Sequence, residues 1–550
     1  MATLRSIPEG FVIQTKSYDY IIIGAGSAGS VLANRLSANG HFSVLIIEAG
    51  RKGHPWSPIP VGFAKLIENP AANWLYSSEP DEGSGQRRIP IPRGKLLGGS
   101  SSINGMVFVR GQPQDFDHWA QLGNRGWSYH EILPFFKGME SYSGGDDAYR
   151  GRNGPLKVTD PVEAGPLYDA MFEAAEQIGI TRTQDYNGPR QDGVGMTQAT
   201  ILKGRRMSTA YCYLEPARER PNLTIITDAL TERLLIKNRR CIGVRFLARG
   251  QTTEVHANHE VVVSAGAINS PQLLELSGIG QSAVLKAQGV EIVHELPGVG
   301  ENLRDHFAPR MKWDVSKPGI TYNDAARGFG LVWQALKYAV TRNGFLSLPA
   351  SPMRAYVHSR EGLESPDLGI SFQPFLVAEG VKLDSRRGLT MIVHVLRSES
   401  TGSIHIKSAS PADPPAIRFN FLSVEDDKRK LLAGIRIVRN WVNAPAMNDF
   451  RGVEFAPGPN IQADDELLDW VRQNAETAYH PVGTCKMGSD GMSVVDERLR
   501  VHGIEGMRIA DASIMPTLTS GNTNAPSIMI GEKAAAMMLE DAETLGARAA

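Results

Sequence analysis

Apolar positions first fall into a readable pattern between Tyr18 and Ile23, a run rich in β-branched and aromatic residues. A run of that kind predicts a strand buried on both faces. Ala28, Leu32 and Leu36 then recur on one face of a predicted helix, and after Gly40 a second strand is expected over Ser43 to Ile47. Glu260 to Ser264 is another buried-type strand, followed by Ala265-Gly266 and a helical stretch from Pro271. Between roughly 315 and 465 the texture changes. Amphipathic segments such as Phe329 to Val340 alternate there with β-like stretches such as Leu389 to Leu396. A helix over Asp464 to Ala478 closes that region. The opening style then returns, with a strand Met507 to Ala510, a turn rich in glycine and asparagine, and a helix Ala525 to Leu539. The pattern therefore predicts one domain that is discontinuous in sequence and a different domain inserted into it.

Composition narrows the class. The chain has 550 residues, 42% hydrophobic and 21% charged, which suits a globular protein with a sizeable core. Its net charge of −1 gives no broad attraction for nucleic acid. Three cysteines (Cys212, Cys241, Cys485) form no CxxC pair, no metal-ligand spacing is present, and a reducing compartment is expected. Cys485 is expected to serve as small apolar packing. Met1 to Ser17 lacks the apolar stretch of a signal peptide, and no apolar segment approaches the roughly 20 residues of a membrane span. The expectation is a cytoplasmic protein, with peripheral membrane contact left open at Phe329 to Val340; ordinary packing is the competing reading of that helix.

Glycine, 56 residues in all, leads to the chemistry. Gly24-Ala25-Gly26-Ser27-Ala28-Gly29 joins the first strand to the first helix, and Glu48 follows about 20 residues beyond it. Gly24 permits a tight turn, Gly26 lets backbone approach a pyrophosphate, and Gly29 brings helix and strand together. The helix N-terminus offers unpaired N–H groups to the anion, and Glu48 is placed to accept from ribose hydroxyls. This is a Rossmann-like dinucleotide fingerprint that leaves NAD and FAD open. A second small-residue segment runs from Arg93 through Gly98, Gly99 and Ser100 to Asn104 and Gly105, with N–H and hydroxyl donors for a ligand.

These segments together resemble the glucose-methanol-choline (GMC) family of FAD-dependent oxidoreductases. The resemblance is carried by Gly94 to Phe108, by Gly266-Ala-Ile-Asn-Ser270-Pro271 through Gly280, and by Leu296 to His306. It continues in Tyr479-His480-Pro481-Val-Gly-Thr484, Arg508 to Pro516 and Gly521-Asn-Thr-Asn524-Ala-Pro526, so that it spans Tyr18 to Leu539. Within the family the chain looks closest to bacterial choline-dehydrogenase-like and aliphatic-alcohol dehydrogenases. The fold it implies is α/β (α+β overall). The Rossmann-like FAD-binding domain would comprise residues 1–164, 206–313 and 476–550. An inserted substrate domain of antiparallel sheet plus helices would comprise 165–205 and 314–475.

The resemblance also implies site residues. Gly24, Ala25, Gly26, Ser27 and Gly29 would hold the FAD pyrophosphate, Glu48 and Ala49 the adenosine ribose, and Thr231 the adenine by backbone contact. Gly98, Gly99, Ser100, Asn104, Gly105, Met106 and Val107 would line the ribityl and flavin region. Asp511 and Ala512 would return to the phosphate and ribityl end, while Tyr479, Asn522 and Pro526 would approach the flavin ring. Some relatives attach FAD covalently through a histidine where this chain has Ile103, so the cofactor is expected to be non-covalent.

His480 is the expected base, mostly neutral at physiological pH, and Asn524 the expected hydrogen-bonding partner at the substrate oxygen. Asp305 and His306 are expected to be structural or to lie at the flavin edge. The implied reaction is oxidation of a primary alcohol to the aldehyde by hydride transfer from the α-carbon to flavin N5, with O2 or a quinone as acceptor. A same-fold hydroxynitrile lyase or photodecarboxylase, and a non-catalytic flavin-binding protein, are the alternatives.

Overall fold

The computed structural model describes residues 17–161, 164–378 and 382–549. The reading of the N-terminal leader concerns residues that lie outside this range, apart from Ser17.

Two sheets organise the chain. In the first, strand β1 (Ser17–Ile23) lies between β2 (Val44–Ile47) and a long strand, Gln251–Val263, and pairs in parallel with both. Leu223–Ile226 extends the parallel set beyond β2. Ile21, Ile22, Leu45, Ile46, Val261 and Val262 are fully buried, as expected where helices or loops cover both faces of a parallel sheet. The long strand has two partners along its length. Its first half pairs antiparallel with Arg240–Ala248, while its last residues pair in parallel with β1 and with Met507–Ile509. Residues Gln251 to Glu260 of this strand are mostly polar, so the apolar pattern marks only its buried end. Met507–Ile509 returns from near the C-terminus to complete this sheet, as the sequence pattern predicts.

Helix α1 (Ser27–Leu36) follows β1. Helix α2 (Gly266–Leu276) follows the long strand and stands in the same relation to it. The second sheet is antiparallel throughout, in the order Arg451–Ala456, Arg310–Val315, Gly388–Val395, Leu368–Gln373, Met353–Val357, Gly193–Met196. Its buried face forms a separate core with the helix Glu425–Asn443, where Gly434 sits close enough to Val393 that a Cβ would approach within 2.7 Å. Helix α3 (Gly328–Thr341) stands at the edge of this half, and helix α4 (Asn524–Ala549) packs back against α1.

The architecture is α/β with the expected discontinuity, and three boundaries differ. Strand Arg310–Val315 belongs wholly to the second sheet, so a division between residues 313 and 314 would cut it. The helix expected over Asp464 to Ala478 ends at Asn474, and Glu476–Thr477 is a short strand pairing with Phe307–Ala308. Helix α4 begins one residue earlier than expected and runs to Ala549.

Candidate active site

A cavity of about 1160 Å³ is lined by residues of both sheets. One end is made from backbone. Gly24 has a φ of +94°, and a Cβ there would lie 2.5 Å from the Ser264 carbonyl oxygen. A Cβ on Gly29 would lie 1.9 Å from the Gly24 carbonyl oxygen, so α1 meets the turn only because this residue has no side chain. The N-terminus of α1 carries no side-chain cap and no acidic residue in its first turn, and Gly26, Ser27 and Ala28 face the cavity. Its free N–H groups and dipole form an anion site. Buried Glu48 accepts from Ala25 N (2.9 Å) and Gly50 N (2.8 Å), one with each oxygen. Burial pushes its carboxyl up to about 7, against those two N–H bonds. Each oxygen keeps a lone pair for a ligand hydroxyl. Thr231 also lines this end, with a buried hydroxyl that no group among the described residues pairs. Uncapped N–H groups, a ribose-type acceptor and an unpaired hydroxyl fit an adenine dinucleotide such as FAD.

Eighteen of the 22 residues expected from the sequence line this cavity. Gly24, Gly26, Ser27, Glu48, Ala49 and Thr231 lie toward the nucleotide end, and Gly99, Ser100, Asn104, Gly105, Met106 and Val107 continue the wall. Tyr479, His480, Asp511, Ala512, Asn522 and Asn524 complete it. Ala25, Gly29, Gly98 and Pro526 stand behind the wall instead. Ala25 is fully buried and its carbonyl accepts from Gly98 N at 2.7 Å, so these two set the approach of the loops. Pro526 lies in the first turn of α4. Asp511 accepts from Gly266 N (2.8 Å) and Ser270 Oγ (2.6 Å), which ties it to the start of α2.

The other end is made from side chains. His480 is buried, and its Nε2 lies 2.7 Å from Asn522 Nδ2 while its Nδ1 lies 2.9 Å from His306 Nδ1. The direction of each bond follows from the two ends of this chain. His306 Nε2 lies 2.9 Å from the Leu396 carbonyl oxygen, which only accepts, so Nε2 carries the proton. Burial lowers the His306 imidazole to about 4, so it is neutral and its Nδ1 is an acceptor. His480 Nδ1 must then donate, leaving Nε2 with a lone pair. From the opposite side, Arg354 Nη1 donates to Asn522 Oδ1 at 3.1 Å, which turns the amide nitrogen of Asn522 toward His480. Asn522 Nδ2 donates to His480 Nε2. Both arguments give one tautomer. Burial, with His306 and His394 beside it, holds the His480 imidazole well below its ordinary value, so the lone pair stays free at neutral pH.

Asp305 holds the backbone under this pair. Its Oδ1 accepts from His306 N (2.7 Å) and His480 N (2.9 Å), and its Oδ2 accepts from the Thr477 hydroxyl. Tyr479, just before His480, takes a φ of +69°, and Arg93 Nη2 donates to its carbonyl at 2.5 Å. That non-glycine conformation aims the next side chain into the cavity.

The expected pairing of His480 with Asn524 is corrected. Asn524 Nδ2 donates to Ser27 Oγ at 2.8 Å, at the phosphate end, because Asn524 already belongs to the first turn of α4 and packs over the start of α1. Asn522 lies in the turn before the helix and faces His480. Sequence reasoning also missed His306 as a contact of His480, along with His394 against His306 and Arg354 on Asn522. His394 and Arg354 had a signal: each is a basic residue on a strand that is mostly buried and apolar, Gly388–Val395 and Met353–Val357.

The family model described as GMC oxidoreductase matches residues 18–308, and its C-terminal counterpart matches residues 398–531. A protein named oxygen-dependent choline dehydrogenase from Brucella suis is 42% identical over 524 residues, 94% of each chain. One of the same name from Photobacterium profundum is 42% identical over 95% of this chain and 93% of its own. The solved structure of pyridoxine 4-oxidase from Mesorbium loti covers 95% of this chain and 99% of its own, with a TM-score of 0.86 and 31% identity. A formate oxidase variant from Aspergillus oryzae superposes with a TM-score of 0.89 at 26% identity, over 97% of this chain and 100% of its own.

Proposed function

The chain belongs to the GMC oxidoreductase family, and from that premise we propose that it oxidises a primary alcohol to the aldehyde with non-covalent FAD. The observation that carries the reading is the single tautomer of His480, whose Nε2 lone pair meets the Asn522 amide inside the cavity. An alcohol oxygen inserted between them would give its proton to Nε2 while accepting from Nδ2, so the pair removes the proton and stabilises the developing alkoxide. FAD held along Gly24 to Ser27, Glu48 and Thr231 would supply the hydride acceptor. The chain's own residues do the rest. His306 holds the tautomer, Asp305 and Arg93 hold the backbone, and Arg354 holds the Asn522 amide in orientation. Ile103 lines the cavity and has no nucleophile, which supports a non-covalent cofactor; acid precipitation should leave the yellow colour in the supernatant.

The outer cavity supports an apolar alcohol. Tyr322 stacks with Phe345 (5.5 Å) and Phe375 (5.7 Å), and Val61, Phe63 and Leu346 continue that wall. Glu476, a carboxylate on the cavity wall, is committed to Arg310 at 2.7 Å. Stacked aromatics also suit a quaternary ammonium, and the relatives are named for choline, so choline is the second substrate reading. O2 or a quinone would reoxidise the flavin. The three buried, unpaired cysteines support a reducing compartment, the cytoplasm. Anaerobic mixing with aliphatic, aromatic and choline-type alcohols tests the oxidation and its substrate: bleaching of the flavin by an apolar primary alcohol is expected. Bleaching by choline alone would move the substrate reading. No bleaching by any alcohol would return the non-oxidative alternatives.

A further inference from the structure

Helix α3 is covered by apolar side chains on two faces, and among the described residues one of them is left exposed. Inward, Leu331 and Ala335 line the cavity and Tyr338 is buried, its hydroxyl donating to the Gly204 carbonyl at 2.8 Å. Outward stand Phe329, 93% exposed, Val340 at 82%, Trp333 at 65%, Leu336 at 56% and Val332 at 55%. Their spacing places them along one face of the helix. A surface helix ordinarily turns polar residues to water, so a row of this size marks an interaction site.

Charge says what covers it. The stretch from Arg327 to Gly344 contains no Asp or Glu, and Arg327, Lys337 and Arg342 within it are exposed. The turn that receives the Tyr338 hydroxyl adds exposed Lys203 and Arg205. Among the described residues none of these five cations makes an ion pair. An apolar row framed by unpaired cations matches an anionic lipid surface, with apolar side chains among the acyl chains and cations at the headgroups. No helix among the described residues is long and apolar enough to cross a membrane, so the arrangement is one that lies in the interface.

We propose that α3 and the basic turn beside it dock this enzyme on an anionic lipid bilayer, with the helix in the plane of the headgroups. The cavity mouth, walled by Leu331 and Ala335, then opens toward the lipid. An apolar alcohol can enter from the bilayer without crossing water; this last step rests on the substrate reading above, whereas docking does not.

The test is flotation of the flavin-loaded enzyme with two kinds of vesicle, phosphatidylcholine alone and phosphatidylcholine with about a third phosphatidylglycerol. The enzyme should float with the anionic vesicles and be released by salt. Phe329→Glu combined with Trp333→Glu should weaken binding more than tenfold, with flavin content and turnover of a water-soluble alcohol unchanged. Lys337→Glu with Arg342→Glu, on exposed positions only, should weaken it by a similar factor and covers the case in which the first variant fails to fold. Failure of the wild type to bind anionic vesicles, or binding by both variants as tight as that of the wild type, overturns the proposal. So does light scattering that shows a dimer split by the first variant without vesicle binding, since the face would then join two copies. Vesicle binding with no turnover of any alcohol would leave the docking intact and overturn the substrate reading instead.

Discussion

The two ends of the cavity are built on different principles. The nucleotide end is mostly backbone: a positive-φ turn and a helix N-terminus between Ile23 and Gly50, joined by the Glu48 carboxylate and the Thr231 hydroxyl. The catalytic end is a relay of side chains, Arg354 to Asn522 to His480 to His306 to the Leu396 carbonyl, drawn from across the chain. A backbone site tolerates changes that preserve φ and closeness. A side-chain relay depends on each donor meeting an acceptor, so one wrong group reverses a tautomer.

Breaking the first end should remove everything. Gly29→Ala places a Cβ against the Gly24 carbonyl, and the purified variant should lack flavin, read from the ratio of absorbance at about 450 nm to that at about 280 nm. A flavin-replete variant would mean that α1 does not bear on the cofactor. Breaking the second end should leave flavin in place. Asn522→Ala removes the donor to the substrate oxygen and should slow flavin reduction about 10²–10³-fold. His306→Leu removes the acceptor that fixes the base and should slow it by at least about tenfold, part of the 10²–10⁴ a general base supplies. His306→Asn, whose carbonyl can still accept, should restore part of the rate and so separate positioning from simple packing.

The pH profile sharpens the same point. In the proposed reaction His480 acts as the base in its neutral form, and its imidazole lies well below the ordinary value of 6.5. Flavin reduction should therefore hold its plateau as pH falls to 6.5 and decline only at more acidic pH. A decline already under way at pH 7 would contradict the buried, neutral assignment. Asn524→Ala should do least. It loses one hydrogen bond to Ser27, worth about 0.5–1.5 kcal/mol, and should change flavin affinity rather than the rate of reduction.

This contrast also explains what could be read before the structure. The nucleotide end was legible because its parts are neighbours in sequence, and spacing alone places Gly24, Gly26 and Glu48. The catalytic end was legible only in part. His480 could be singled out from its motif, but Asn522 and Asn524 stand two apart in one Gly-Asn-Thr-Asn turn. Which of them faces the base depends on where α4 begins. His306 follows Asp305 in a segment read as structural, and Asp305 does serve the backbone, while its neighbour turns to the base. The second sheet was foreseen in kind. The chain, however, passes into the second sheet at strand Arg310–Val315, a short stretch after the cofactor-domain motifs, which no periodicity marks.

Anaerobic rapid mixing of His480→Ala with a primary alcohol, its flavin content first matched to wild type, bears most directly on the account. Reduction slowed about 10²–10⁴-fold with the flavin retained is the predicted result. Reduction at the wild-type rate would show that the lone pair held between Asn522 and His306 does not accept the proton.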